Sequence, residues 1–316
     1  EIKKELENMN FSKKLVGTGF AIALACTSVL PTSAIETDYI DEKWGKPTVV
    51  YGGGLSEYQV EQTREIFKIS NKENVYELSV NGNDLQKYLG YYGDTGSLIS
   101  SVMVKKTEDT GVVVTILTPE NILTITKEQY TNAAITAGVA NCEIEVACIS
   151  QATGESALTG VYKAFEANGE TLDMERTEIA QEELQVTNGI ANELDGSEGF
   201  DTDTFTQTMI DIKKELAELK QENGELSAED IENLVYDIIE RYNLKDLLTE
   251  ENILKLIEFA KKYANSDAIN SEEVIKQLDQ LSKSLPKSIQ DIYKKARDGG
   301  FIDRLIQLIK DFFASL

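Results

Sequence analysis

No histidine occurs anywhere in the 316 residues. Imidazole-based triads, imidazole-ligated zinc and ordinary haem ligation are therefore excluded, and any chemistry must use carboxylates, lysines, hydroxyls, thiols or backbone amides. Two glycine-bearing segments fit the last option. Gly52-Gly53-Gly54 follows an apolar run, Thr48 to Tyr51, and precedes Ser56, which with Gln59 spells a helical capping box. A strand–glycine–helix junction presents unpaired helix N-terminal N–H groups, which suit an anion. The second segment runs from Gly154 to Gly160 and contains Ser156 and Thr159. Neither carries a dinucleotide fingerprint, and Val161 stands where a phosphate-binding loop needs lysine. Turn formation is the expected role of these glycines. Gly53, Gly54, Ser56, Gly154, Ser156 and Thr159 are the candidate ligand or anion site, provided their strands are parallel neighbours at one sheet edge.

The remaining reactive groups fail their templates. Asp195, Glu198, Asp201 and Asp203 cluster, but a calcium loop counted from Asp201 has Thr206 where glycine is needed and Ile212 where glutamate is needed. Ser156 with Lys163 would be a Ser-Lys arrangement without a recognised motif, and no two carboxylates stand out as a glycosidase pair. Cys142 and Cys148 are six residues apart in a strand-like run, roughly 20 Å along an extended chain, which is too far for a disulfide. They read as small core residues. No catalytic residue, cofactor or metal site is expected.

The elements that would position these groups fall into two halves. In the first, strands are expected at 48–51, 75–80, 99–105, 112–117 and 142–149. Helices are expected after Ser56, from an Asp84 cap to Leu89, from Thr126 to about Ala137, and from Ser156 to about Ala167. Glu108-Asp109-Thr110-Gly111 reads as a hairpin turn between the third and fourth strands. The order β-α-β-α-β-β-α-β-α predicts an α+β fold with one mixed sheet covered by helices. From about Phe205 the apolar period becomes 3.6, with caps at Ser227, Thr249 and Ser271, so a C-terminal all-helical domain is expected. The boundaries read as an α/β domain over 36–190, an acidic linker over 191–204 and a helical domain over 205–316.

The charge balance narrows the partners. Lys plus Arg total 31 and Asp plus Glu total 55, a net charge of −24, which opposes nucleic-acid binding. Residues 166–250 alone carry 24 acids against 6 bases. At the N-terminus, Lys13-Lys14 precede an apolar stretch from Leu15 to Leu30, then Pro31 and Thr32-Ser33-Ala34, the pattern of a secretory signal peptide. The expectation is a true start at Met9 after an upstream extension over 1–8, a signal over 9–34, and cleavage after Ala34. An uncleaved anchor is the alternative. A lipoprotein signal at Cys26 is disfavoured, because Ala23 stands where leucine is usual.

Several strings resemble one family in order and spacing. They are Leu55-Ser56-Glu57, Tyr88-Leu89-Gly90, Ile99-Ser100-Ser101, Asn121-Ile122, Tyr130-Thr131-Asn132-Ala133 and Thr136-Ala137-Gly138-Val139. Most distinctive is Ser156-Ala157-Leu158-Thr159-Gly160 followed by Lys163-Ala164-Phe165-Glu166. Together they resemble the secreted bacterial proteins of domain of unknown function 1002, the YpuA-like family, across 48–190 and more loosely at Leu247-Leu248-Thr249. The resemblance implies an exported protein of a Gram-positive-type bacterium and carries no assigned activity. The chain departs from the pattern at Gly54, where Asp is usual, and at Cys148-Ile149, which replaces a more Pro-like turn.

A non-catalytic binding or structural module of the cell envelope is the expected function, its partner an envelope protein or a wall polymer. A wall-acting hydrolase using carboxylates or Ser-Lys chemistry is the alternative. One further surface is readable. Phe301, Leu305, Ile309, Phe312 and Phe313 recur at helical spacing near a basic stretch, an apolar face that would suit a partner or peripheral contact with an anionic membrane over 301–316. Packing onto the preceding helices is the commoner fate of such a face.

Overall fold

The structure, a computed structural model, describes residues 44–290 apart from 109, 110 and 155. The expected signal peptide, the upstream extension and the 301–316 face lie outside the described residues.

Five strands form one sheet: β1 (Thr48–Gly52), β2 (Tyr76–Val80), β3 (Ser100–Lys106), β4 (Val112–Ile116) and β5 (Cys142–Cys148). Helix α1 (Glu57–Ile66) follows β1 and α2 (Gly82–Leu89) follows β2. Helix α3 (Lys127–Thr136) connects β4 to β5, and α4 (Ala157–Ala167) follows β5. The element order is the expected one, and the fold is α+β with a mixed sheet and a helical C-terminal part. Local chemistry sets the helix starts. Ser56 and Thr126 close capping boxes with Gln59 and Gln129. The cap of α2 is Asn81 rather than Asp84; Asp84 sits three residues on and reaches back to the Asn81 N–H, the partner role in the same box.

The strand order is β2-β1-β3-β5-β4. The expected hairpin between β3 and β4 does not form, because β5 lies between them, antiparallel to β3 and parallel to β4. β1 is likewise parallel to β2 and antiparallel to β3. Four strands therefore run one way, and β3 alone runs the other way, in the middle.

Alternation along the strands divides the core. Val49, Tyr51, Met103 and Ala147 point to one face and pack with Phe67 at the end of α1. Val50, Val102, Val104, Ile144 and Val146 point to the other, under the helix layer that includes α3 and α4. At Gly160 that layer comes very close: a Cβ there would lie 2.8 Å from Val102 Cγ2 and 3.5 Å from Val50 Cβ.

Five longer helices follow: α5 (Met174–Leu194), α6 (Thr202–Asn223), α7 (Ala228–Arg241), α8 (Glu250–Asn265) and α9 (Glu272–Ser284). Asp173, Asp201, Ser227, Thr249 and Ser271 cap them. The expected linker over 191–204 overlaps the last turn of α5 and the start of α6. α6 is enclosed by α3, α5, α7, α8 and α9. α3 packs against β4 on one side and against α5, α6 and α9 on the other, so the sheet and the later helices meet across it. Ile135 of α3 closes that seam with Ile210, Val274, Leu278 and Leu281.

Two glycines in helices should respond in opposite ways. Gly160→Leu must displace Val102 and Val50 and is expected to cost about 3 kcal/mol. Gly189 lies on the exposed side of α5, and a Cβ there would meet nothing within 4 Å. It should accept alanine with a gain of roughly 0.5–1 kcal/mol. Denaturant melts of the two variants check both signs.

Candidate functional site

β1 and β5 are not neighbours, since β3 separates them, but both run antiparallel to β3 and so end at the same sheet edge. The two glycine turns therefore share the edge at which open α/β sheets bind ligands. Their amides and carbonyls are largely committed to the fold. A Cβ on Gly53 would lie 2.3 Å from Val80 O, and one on Gly54 would lie 2.4 Å from Gly96 O, so the turn is threaded between two other backbone segments. Gly52 N donates to Ser101 Oγ at 3.2 Å and Gly54 N to Leu98 O at 2.9 Å. The Ser56 hydroxyl is bonded to Gln59. These glycines admit a close chain crossing.

The second turn is stitched in a similar way. Gly154 has φ +89°, and a Cβ there would lie 2.3 Å from Tyr130 Oη. The Tyr130 hydroxyl donates to Gly154 O at 2.6 Å, and Asn121 Nδ2 donates to Cys148 O at 2.7 Å. Ser156, half-buried at the start of α4, makes no capping bond through its side chain. Thr159, one turn in, is fully buried with its hydroxyl unpartnered among the described residues. The Ser100 hydroxyl, at the start of β3 with the parity of Val102, shares that condition.

Ser-Lys chemistry is not assembled here. Ser156 and Lys163 stand two helical turns apart, about 10 Å along the axis. Lys163 Nζ is engaged by Asp84 Oδ2 at 2.7 Å. The acidic cluster is spread over the bend between α5 and α6: Asp195 ends α5, and Asp201 caps α6 by accepting from Thr204 N at 2.7 Å. Cys142 and Cys148 are buried free thiols, and burial pushes Cys142 up to about 12, which makes it inert. Among the described residues no group of three or more Cys, Asp or Glu side chains could hold a metal ion. No helix among them is long and apolar enough to cross a membrane.

Sequence reasoning missed a buried polar constellation between α3, α5 and α6. Glu183 of α5 and Lys213 of α6 are almost fully buried and form an ion pair at 2.7 Å. Lys213 Nζ also donates to Thr136 Oγ1 at 2.8 Å and to Asn132 O at 3.2 Å, both on α3. The Thr136 hydroxyl in turn donates to Glu183. Burial drives Glu183 up and Lys213 down, each held back by the other's charge. A readable signal existed: Lys213 falls on the stripe of Met209, Ile212 and Leu216, four residues after the first and three before the last.

The family described as "Protein of unknown function (DUF1002)" matches residues 51–281. The chain is 26% identical over 302 residues to "Uncharacterized protein YpuA" of Bacillus subtilis (strain 168), covering 93% of this chain and 95% of that protein. No solved structure matches.

The buried pair generates a test. Lys213→Met leaves Glu183 enclosed without its counter-charge and is expected to cost about 3–5 kcal/mol. Glu183 then binds its proton more tightly in the folded than in the unfolded state, so the variant should regain stability on acidification. Adding Glu183→Gln should recover part of the loss, giving a non-additive double-mutant cycle in urea melts.

Proposed function

The chain belongs to the DUF1002 family of proteins of unknown function, and we propose that it acts as an exported, non-catalytic binding or structural module of the cell envelope. Its partner in this reading is another envelope protein or a wall polymer. The observation that carries the reading is where the reactive groups are used. Lys163 is held by Asp84, Lys213 by Glu183 and Arg241 by Glu215, and the glycine turns are closed by neighbouring backbone. The chain's acid–base groups work as internal ties in these pairs, while the shared strand edge offers a surface. Export is supported by the basic, apolar and small-residue succession from Lys13 to Ala34. The net charge of −25 left after removal of four Lys and three Glu with residues 1–34 favours a cation-rich contact and opposes nucleic acid. Peripheral membrane contact through 301–316 belongs to the same proposal.

Three measurements test it. N-terminal sequencing of the abundant form should begin near Ile35; a start at Met9 or Glu1 overturns export. Purified walls, or a bait pull-down from the envelope fraction, should retain the mature chain without release of sugars or peptides; release would turn the reading to a hydrolase. Deleting 301–316 should abolish sedimentation with anionic liposomes at low salt, and a full mature chain that never sediments removes the membrane contact.

A further inference from the structure

A second buried constellation lies on another side of α6. Asp211 is fully buried where α7 and α9 close on this helix. Its Oδ2 accepts from the hydroxyl of Tyr242, the residue that ends α7, at 2.6 Å. Its Oδ1 accepts from Gln207 Nε2 at 2.7 Å, and Gln207 Oε1 accepts from Ser282 Oγ of α9 at 3.0 Å. One carboxylate thus ties three helices together through neutral donors.

The surrounding charges are already committed. On α6 itself, Lys214 is paired with Asp279 of α9 at 2.5 Å, and Glu215 receives a two-pronged contact from Arg241 of α7. Asp237 of α7 is itself raised by burial and adds no positive charge. Toward α3, α5 and α8, Lys213 is taken up by Glu183 and lies over the Tyr263 ring. The two cations that act on Asp211, Lys214 and Arg241, therefore each serve another carboxylate. Enclosure favours the protonated form of this carboxylate, and two neutral donors offset that only in part.

We propose that Asp211 is a proton-controlled latch, closed with α7 and α9 seated on α6 when protonated and loosened at that three-helix seam when ionised. Burial, with Glu215 adding to it, pushes Asp211 up to about 7, against the pull of the Tyr242 and Gln207 donors and of Lys214. The folded state then binds more protons than the open one from about pH 4, the ordinary aspartate value, to about 7. Seam stability is highest below that window, falls as pH rises through it, and is constant above it. Tyr242 can follow the change, donating to the carboxylate or accepting from the acid.

Hydrogen exchange of the full chain, corrected for intrinsic rates, reads the latch directly. Between pH 5 and 7, the opening constant of peptides from the end of α7 and from α9 should rise roughly tenfold per pH unit in the wild type relative to Asp211→Asn. Peptides from β3 and β5 should show the same pH dependence in both proteins. Equal slopes in wild type and variant overturn the proposal, and so does a rise spread evenly over the sheet. Should Asp211→Asn fail to fold, Tyr242→Phe decides. Loss of a donor to the ionised form must move the opening transition to higher pH, and an unmoved transition overturns the latch.

Discussion

The ion pair between Glu183 and Lys213 is the constraint on which the arrangement of the helices turns. Two opposite charges with almost no solvent contact are tolerable only while they face each other and their remaining hydrogen-bonding capacity is met. Meeting it requires α5 and α6 in one register and the last turn of α3 alongside, because Thr136 and the Asn132 carbonyl complete the set. An all-apolar contact among these helices would tolerate sliding by a turn. The pair does not, since a shift of one residue would strand a charge. α6 can therefore be enclosed on every side while carrying Gln207, Asp211, Lys213, Lys214 and Glu215 in its buried length.

Much of the framework was legible in the residues, because the rules that set it are local. Capping boxes marked helix starts at Ser56, Thr126 and Ser227, glycine ended α2, and the alternation of strand residues gave the order of elements. What stayed hidden depends on distant partners. Gly111 has the positive φ that a turn glycine takes, but that cannot say which strand takes the free edge of β3, and β5 takes it. α5 buries Thr177, Gln181, Glu183, Thr187 and Asn188 beside its apolar residues, so its apolar period is blurred. The burial of Lys213, Lys214 and Glu215 in α6 is not written in the sequence around them, because their counter-charges lie on other helices.

The candidate turns show the same division. Their glycines were readable as glycines that must turn, and Gly154 with its positive φ is one. That Gly53 and Gly54 admit a neighbouring backbone is decided by Val80 and by Gly96, some 30 to 40 residues further on. A close crossing of chains and an anion cradle demand the same residue, and only the third dimension separates them.

The lone reversed strand has a consequence for how the molecule comes into being. β1 with β2, and β4 with β5, are two-stranded parallel pairs, too small to persist alone in water. β3 joins them, and its two partners sit some 50 residues before it and some 40 after it in the chain. Nothing in the sheet is finished by neighbours, so the ordering entropy of about a hundred residues must be met almost at once. The chain emerging from synthesis is thus held back from early completion until β5 has been made and can take its place beside β3.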